Sequence, residues 1–237
     1  GKYATANISG TINILNNMVD SNIQNFIFSS TAAVYGIPEY LPVDEDHPLN
    51  PYNFYGFTKF EIERLLHWYS DLKGLYFGAL RYFNAAGYDI QGRIHGLEKN
   101  PENLLPIIME TISGKRDSMD VYGDDYNTPD GTGIRDYIHV KDLATAHVKT
   151  LDAIINKKKN LIINLATGKG YSVMEVIQKT KEVTGQEVNY NIVERRPGDP
   201  AELIAVSKLS KDMIGWECEY SDMMTILQSM WKIYSGH

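Results

Sequence analysis

The amino-acid sequence predicts an α/β fold on a parallel sheet, and two observations predict it. Short apolar runs alternate with longer segments of helical periodicity, in the order strand, helix, strand. The first strand, Asn25-Phe26-Ile27-Phe28-Ser29-Ser30, ends in hydroxyl residues. That is the place where open α/β sheets collect ligands.

The elements follow in order. Ile8, Ile12, Leu15, Met18 and Val19 recur at helical spacing with no strand before them. After the strand at 25–30, a loop punctuated by Pro38, Pro42, Pro48 and Pro51 is too broken for regular structure. A second helix is expected over 57–72, with Ile62, Leu65, Leu66 and Tyr69 on one side, and a strand over 75–82. Beyond Asn84, Gly- and Asn-rich loops surround shorter helices. A strand over 136–140 feeds a helix over 142–155, and 161–165 is another strand. Ser172 opens a helix to Thr184 as its N-cap, with Glu175 at the capping-box position.

Composition narrows the functional classes. The 237 residues are 43% hydrophobic and 22% charged, an ordinary globular balance. No apolar run approaches the roughly 20 residues of a membrane helix, and the N-terminus has no signal-peptide organisation, so no membrane association is expected. A single cysteine, Cys218, cannot form an internal disulfide, which makes the cytoplasm the expected location. A formal charge of −7 argues against nucleic acid, so an anionic ligand must be met by a few placed arginines. No metal site is expected.

The central candidate for chemistry is Tyr55 with Lys59. On a helix these positions share a face, so phenol and ammonium can point at one site. A phenol is a poor base at neutral pH, and a nearby cation favours its ionised form. The pair therefore suits general acid/base work. The spacing recurs at Tyr69/Lys73 and Tyr137/Lys141. Tyr69 lies on an apolar helix stripe, and Tyr137 and Lys141 straddle a strand-to-helix junction, so both pairs are expected to be structural. Only Tyr55 follows a strand ending in Ser29-Ser30-Thr31.

The runs Phe28-Ser-Ser-Thr-Ala-Ala-Val-Tyr-Gly36, Tyr55-Gly-Phe-Thr-Lys59 and Arg81-Tyr-Phe-Asn84 resemble extended short-chain dehydrogenases/reductases acting on nucleotide sugars. Asn103-Leu104-Leu105-Pro106 and Tyr122-Gly-Asp-Asp-Tyr126 extend the match. The stretch Asp130 to Val140 and Arg195-Arg-Pro-Gly-Asp199 are similar to the UDP-galactose 4-epimerase family in particular.

The resemblance implies NAD as cofactor, a UDP-hexose as substrate, and oxidation followed by re-reduction at C4. Tyr55 would exchange the proton of the 4-hydroxyl, Lys59 would hold the nicotinamide ribose and lower the phenol's pKa, and Thr31 would bond the 4-oxygen. Asn7 and Phe83 would contact the cofactor together with Tyr55 and Lys59. Arg135 and Arg196 would bind the diphosphate, a task suited to forked guanidinium donors. Tyr82, Asn84, Asn103 and Leu104 would line the nucleotide sugar, Tyr122 would stack on uracil, and Asp199 would bond the ribose. Leu203 matches a position that gates N-acetylated sugars. The family's homodimers imply a partner copy joined through the Ile8–Val19 helix and the Tyr55 helix.

One expected element is missing from the residues themselves. No Gly-x-Gly-x-x-Gly run occurs, although such enzymes carry the NAD pyrophosphate on one. The expectation is therefore a partial Rossmann-type sheet, its C-terminal half, over 1–84, in an N-terminally truncated chain. A smaller α/β substrate-binding domain is expected over 85–237, with segments near 136–166 returning to the Rossmann sheet. Ala6 stands where the family commonly has an asparagine before Asn7. Ala32-Ala33 after Thr31 argues against a 4,6-dehydratase, which would carry Asp-Glu there. The alternative to a working epimerase is a truncated, NAD-deficient and catalytically silent module that binds UDP-sugar or forms an interface.

Overall fold

The computed structural model describes residues 1–236; His237, the last residue of the expected second domain, lies outside them. The chain forms two compact units. One comprises Gly1–Phe83, Ala144–Leu165 and Ala205–Glu217; the other comprises Asn84–Leu143, Ala166–Ile204 and the segment from Cys218 onward.

The first unit is built on a parallel sheet of β1 (Asn25–Ser29), β2 (Tyr76–Tyr82) and β6 (Leu161–Leu165), in the order β1-β2-β6. Alternate side chains of these strands enter different clusters, as the pleat requires. Phe28, Phe77 and Ala79 pack with Leu15 and Met18 of α1 (Gly10–Asp20) and Ile62 and Leu66 of α2 (Phe54–Lys73). Ile27 and Tyr76 pack with Ala153 and Ile154 of α4 (Val140–Lys157) and with Met213 and Ile214 of α6 (Lys208–Ile214).

The ends of α2 explain its length. Asn53 is extended and its side-chain oxygen accepts the Gly56 N–H at 2.8 Å, so the helix begins at Phe54 rather than at Phe57. Gly74 ends it at φ 68°, the left-handed conformation that glycine adopts without penalty. A π-helical turn, Ala4–Ser9, leads into α1.

The apolar stripe of α1 is largely consumed within this unit. Leu15 is fully buried and Met18 nearly so, both against α2. Leu15 and Met18 are therefore closed off from any partner copy. The exposed apolar groups of the two helices are instead Ile14, Phe54, Phe57, Trp68 and Leu72.

The second unit carries β3 (Asn84–Ala86), β5 (Ile134–His139) and β7 (Gly170–Ser172) in that order, with β9 (Glu202–Leu203) paired to β5. A separate parallel pair joins β4 (Met119–Tyr122) to β8 (Tyr190–Val193). Helices α3 (Leu104–Ile112), α5 (Val173–Thr184) and α7 (Met223–Tyr234) enclose a core of Leu105, Ile108, Val176, Ile226, Leu227 and Met230. The α5 capping box forms as the sequence predicts: the Glu175 N–H donates to Ser172 Oγ at 3.0 Å, and the Ser172 N–H donates to Glu175 at 2.8 Å. No helix among the described residues is long and apolar enough to cross a membrane.

Candidate active site

In the first unit, the C-terminal end of β1 delivers Ser29, Ser30 and Thr31 in succession. Thr31 is extended and caps a short 3-10 turn, Ala32–Val34, by accepting the Ala33 N–H on its hydroxyl at 3.2 Å. The first turn of α2 runs against this turn. A Cβ on Gly56 would lie 2.4 Å from the Ala33 carbonyl oxygen, so only glycine permits the approach.

That approach brings the neighbouring Tyr55 to Thr31. Burial raises the Tyr55 phenol above its ordinary value, and a hydrogen bond with Thr31 pulls it part of the way back. Tyr3 meets the Tyr55 ring edge-on, with centroids 5.7 Å apart. One helical turn on, the Lys59 ammonium donates to the Ser29 carbonyl at 2.9 Å and lies 4.9 Å from the centre of the Phe28 ring. Burial lowers its pKa. The ammonium is 5.7 Å from the centre of the Tyr55 ring. The lowering of the phenol expected from Lys59 is not found: burial raises the phenol, and Thr31 is the group that lowers it.

Asn7 reaches the same turn of α2 by another route. Its amide donates to Thr58 Oγ1 at 3.0 Å, and that hydroxyl donates to the Tyr55 carbonyl at 2.8 Å. Tyr82 and Phe83 are half-buried at the end of β2, with Tyr82 among the groups that influence Tyr55. The competing Tyr–Lys spacings lie in other surroundings. The Tyr69 hydroxyl donates to Asn16 of α1 at 2.6 Å, and Tyr137 is buried within β5 while Lys141 lies in α4.

The donor set fits the nicotinamide-ribose end of NAD. An ammonium has three donors, and one on Ser29 leaves others for ribose hydroxyls.

In the second unit the arginines come together with the residues expected to share their ligand. Arg135, half-buried on β5, donates to Asp199 at 2.5 Å and to its neighbour's carbonyl, Ile134, at 2.8 Å. Leu203 on β9 is the register partner of Arg135. The Arg196 guanidinium lies 3.8 Å from the centre of the Tyr122 ring, a cation–π stack. Next to it, Arg195 lies 4.1 Å from the centre of Tyr126 and pairs with Asp125 at 2.6 Å. Asn84 donates to the Asp136 carbonyl at 2.8 Å. Asn103 is exposed at the start of α3 without a side-chain capping bond, and Leu104 packs on the core.

The sequence reading assigned no role to Glu63, Ser30, Tyr126 or Arg195. For Glu63 a signal existed: it follows Tyr55 and Lys59 at four-residue spacing, on one helix face.

The profile of the NAD dependent epimerase/dehydratase family matches residues 1–166. A UDP-glucose 4-epimerase of Halalkalibacterium halodurans is 42% identical over 237 residues, spanning 100% of this chain and 71% of that protein. The crystal structure of UDP-glucose 4-epimerase from Brucella ovis in complex with NAD superposes with a TM-score of 0.95 at 42% identity, covering 98% of this chain and 72% of that one. The enzyme from Bifidobacterium longum, in complex with NAD+ and UDP, gives 0.87 at 37% identity, covering 98% and 70%. With matches of this extent, the chain belongs to the NAD dependent epimerase/dehydratase family.

Proposed function

We propose that this chain carries the proton-transfer and substrate-binding residues of a UDP-hexose 4-epimerase. The observation that carries the reading is the convergence of Thr31, Tyr55 and Lys59 at the end of β1, in a chain similar over its whole length to UDP-glucose 4-epimerases. NAD, when bound, supplies the acceptor and donor of hydride. Tyr55 and Lys59 would hold its nicotinamide ribose, with Asn7 and Phe83 as further contacts.

The chain's own residues divide the remaining work. Thr31 holds the sugar's 4-oxygen by its hydroxyl. Tyr55 takes the 4-hydroxyl proton in one half of the cycle and returns it in the other. The Lys59 ammonium, fixed by the Ser29 carbonyl, favours the ionised phenol once ligands replace water. Arg135 and Arg196 bind the diphosphate, Tyr122 the uracil and Asp199 the ribose, while Tyr82, Asn84, Asn103 and Leu104 line the sugar nucleotide.

The test is binding first, then turnover. Native mass spectrometry should detect NAD on the purified chain and UDP-hexose on titration. Tyr55→Phe should lower 4-epimerisation about 10²–10⁴-fold while retaining UDP-hexose binding. UDP-hexose binding without NAD or turnover would leave a substrate-binding module, and an active Tyr55→Phe protein would remove Tyr55 from the chemistry.

A homodimer through α1 and α2 belongs to the same reading. Exposed Ile14, Phe57 and Trp68 on these helices support it. A monomer by light scattering would count against it.

A further inference from the structure

We propose that Ser30, Glu63 and Arg81 form a positioning cluster that sets Tyr55 and Lys59 against Thr31; the proposal rests on the reading of Tyr55 as the proton-transfer residue. Ser30 Oγ donates to Glu63 Oε1 at 2.5 Å. Arg81 grips the same carboxylate with two donors, Nε at 3.0 Å and Nη2 at 2.6 Å. All three side chains are buried, with Ser30 1%, Glu63 2% and Arg81 3% exposed. Arg81 continues the chain of bonds to the Tyr35 hydroxyl at 3.1 Å, which donates to Asn164 of β6 at 2.6 Å.

The geometry explains why this cluster bears on the site. Tyr55, Lys59 and Glu63 follow one another at single-turn spacing along one face of α2. Ser29, Ser30 and Thr31 are consecutive at the end of β1. Two contacts one turn apart therefore fasten the helix to the strand: Lys59 to the Ser29 carbonyl, and Glu63 to the Ser30 hydroxyl. Added to the apolar packing of Ile62 and Leu66, two polar contacts at successive turns fix the register of α2 along the strand end, and with it the placement of Tyr55 beside the residue that follows Ser30. Arg81 gives the carboxylate the paired charge that burial demands, and fastens the helix to β2 as well. Its own pKa is raised: burial alone would lower it, and the Glu63 carboxylate and the Tyr35 hydroxyl together outweigh burial.

The test reads Tyr55 directly. The full chain is labelled with ¹³C at the tyrosine ζ carbon, and the Tyr55 resonance is assigned by its loss in Tyr55→Phe. Thr31→Val then gives the displacement that follows loss of the Thr31 contact. Ser30→Ala removes one hydroxyl and leaves the Glu63–Arg81 pair in place. The expected result is that Ser30→Ala moves the Tyr55 resonance in the direction of Thr31→Val, while Tyr171 in the other unit keeps its position. Glu63→Gln should move it further. If Glu63→Gln does not fold, Ser30→Ala decides alone. A folded Ser30→Ala protein with a lowered Tm and an unmoved Tyr55 resonance, or one moved the opposite way, would mean that the cluster only stabilises the fold, and overturns the proposal. The measurement needs neither nucleotide nor sugar, so a chain without turnover still answers it.

Discussion

Gly56 stands so close to Ala33 that an added Cβ would lie 2.4 Å from the Ala33 carbonyl oxygen and 2.9 Å from its carbon. Both neighbours are backbone, so the turn must move as a whole if Gly56 gains a side chain. Gly56→Ala sets two effects against each other. Helix propensity favours alanine by about 1 kcal/mol, whereas forcing a methyl into a filled space costs about 1–3 kcal/mol. Overpacking wins, and the variant should melt below the parent by differential scanning calorimetry. A higher Tm would show that the turn yields freely.

Tyr55 gives a pH dependence with a definite sign. Its folded pKa is raised above the ordinary 10.0, first by burial. The folded state therefore holds the phenolic proton more tightly than the unfolded chain. The resulting stability is fully present below pH 10.0 and is lost as pH rises through the folded value. Tyr55→Phe removes this term, so urea midpoints of parent and variant should converge, or cross in favour of the variant, between about pH 8 and about pH 10.5. Parallel curves over that range would contradict a raised phenol.

Arg135 and Asp199 form an ion pair. If Arg135 binds the diphosphate as proposed, that ligand shares or displaces the carboxylate, and substitution should show the loss of a forked, charge-assisted contact. Arg135→Ala is expected to weaken UDP binding by about 10–150-fold in calorimetric titration, from about 1.5–3 kcal/mol for such a contact. Arg135→Lys should recover little of it, because a lysine has no fork. Full recovery with lysine would indicate a simple point-charge role.

Leu203 lies in register beside Arg135 on the neighbouring strand. If it gates the sugar pocket, Leu203→Tyr should lower relative activity on UDP-N-acetylhexosamine against UDP-hexose. Equal activity ratios before and after the change would remove Leu203 from sugar selection.

Local signals in the sequence were read well where one element contains the whole signal. Ser172 and Glu175 sit in one turn, and their capping box is present. The strand over 161–165 has an apolar run long enough to recognise, and β6 occupies the same residues. The start of α2 was harder, because Phe54, Tyr55 and Gly56 are poor helix formers whose placement is decided by the Asn53 cap and the contact with Ala33. Strands as short as Gly170–Ser172 and Glu202–Leu203 carry too few residues for a period of two to show.

The site divides in the same way. The spacing of Tyr55 and Lys59 lies within one helix, so it could be read directly. Ser30 and Glu63 are 33 residues apart, and Arg135 and Asp199 are 64 apart, so only folding brings each pair together. The arginine stack on Tyr122 likewise joins the end of β4 to the loop after β8, which share no local pattern.

Thr31 accepts the Ala33 N–H on the same oxygen that faces Tyr55. With a lone pair committed to the backbone, the hydroxyl proton is left to swing as the movable partner, and the oxygen itself stays anchored. One atom thus serves as a hinge pin for the turn and, in the proposed reaction, as a donor to the sugar's 4-oxygen. Valine keeps the shape and loses both functions; serine alone among the other small side chains preserves the two together.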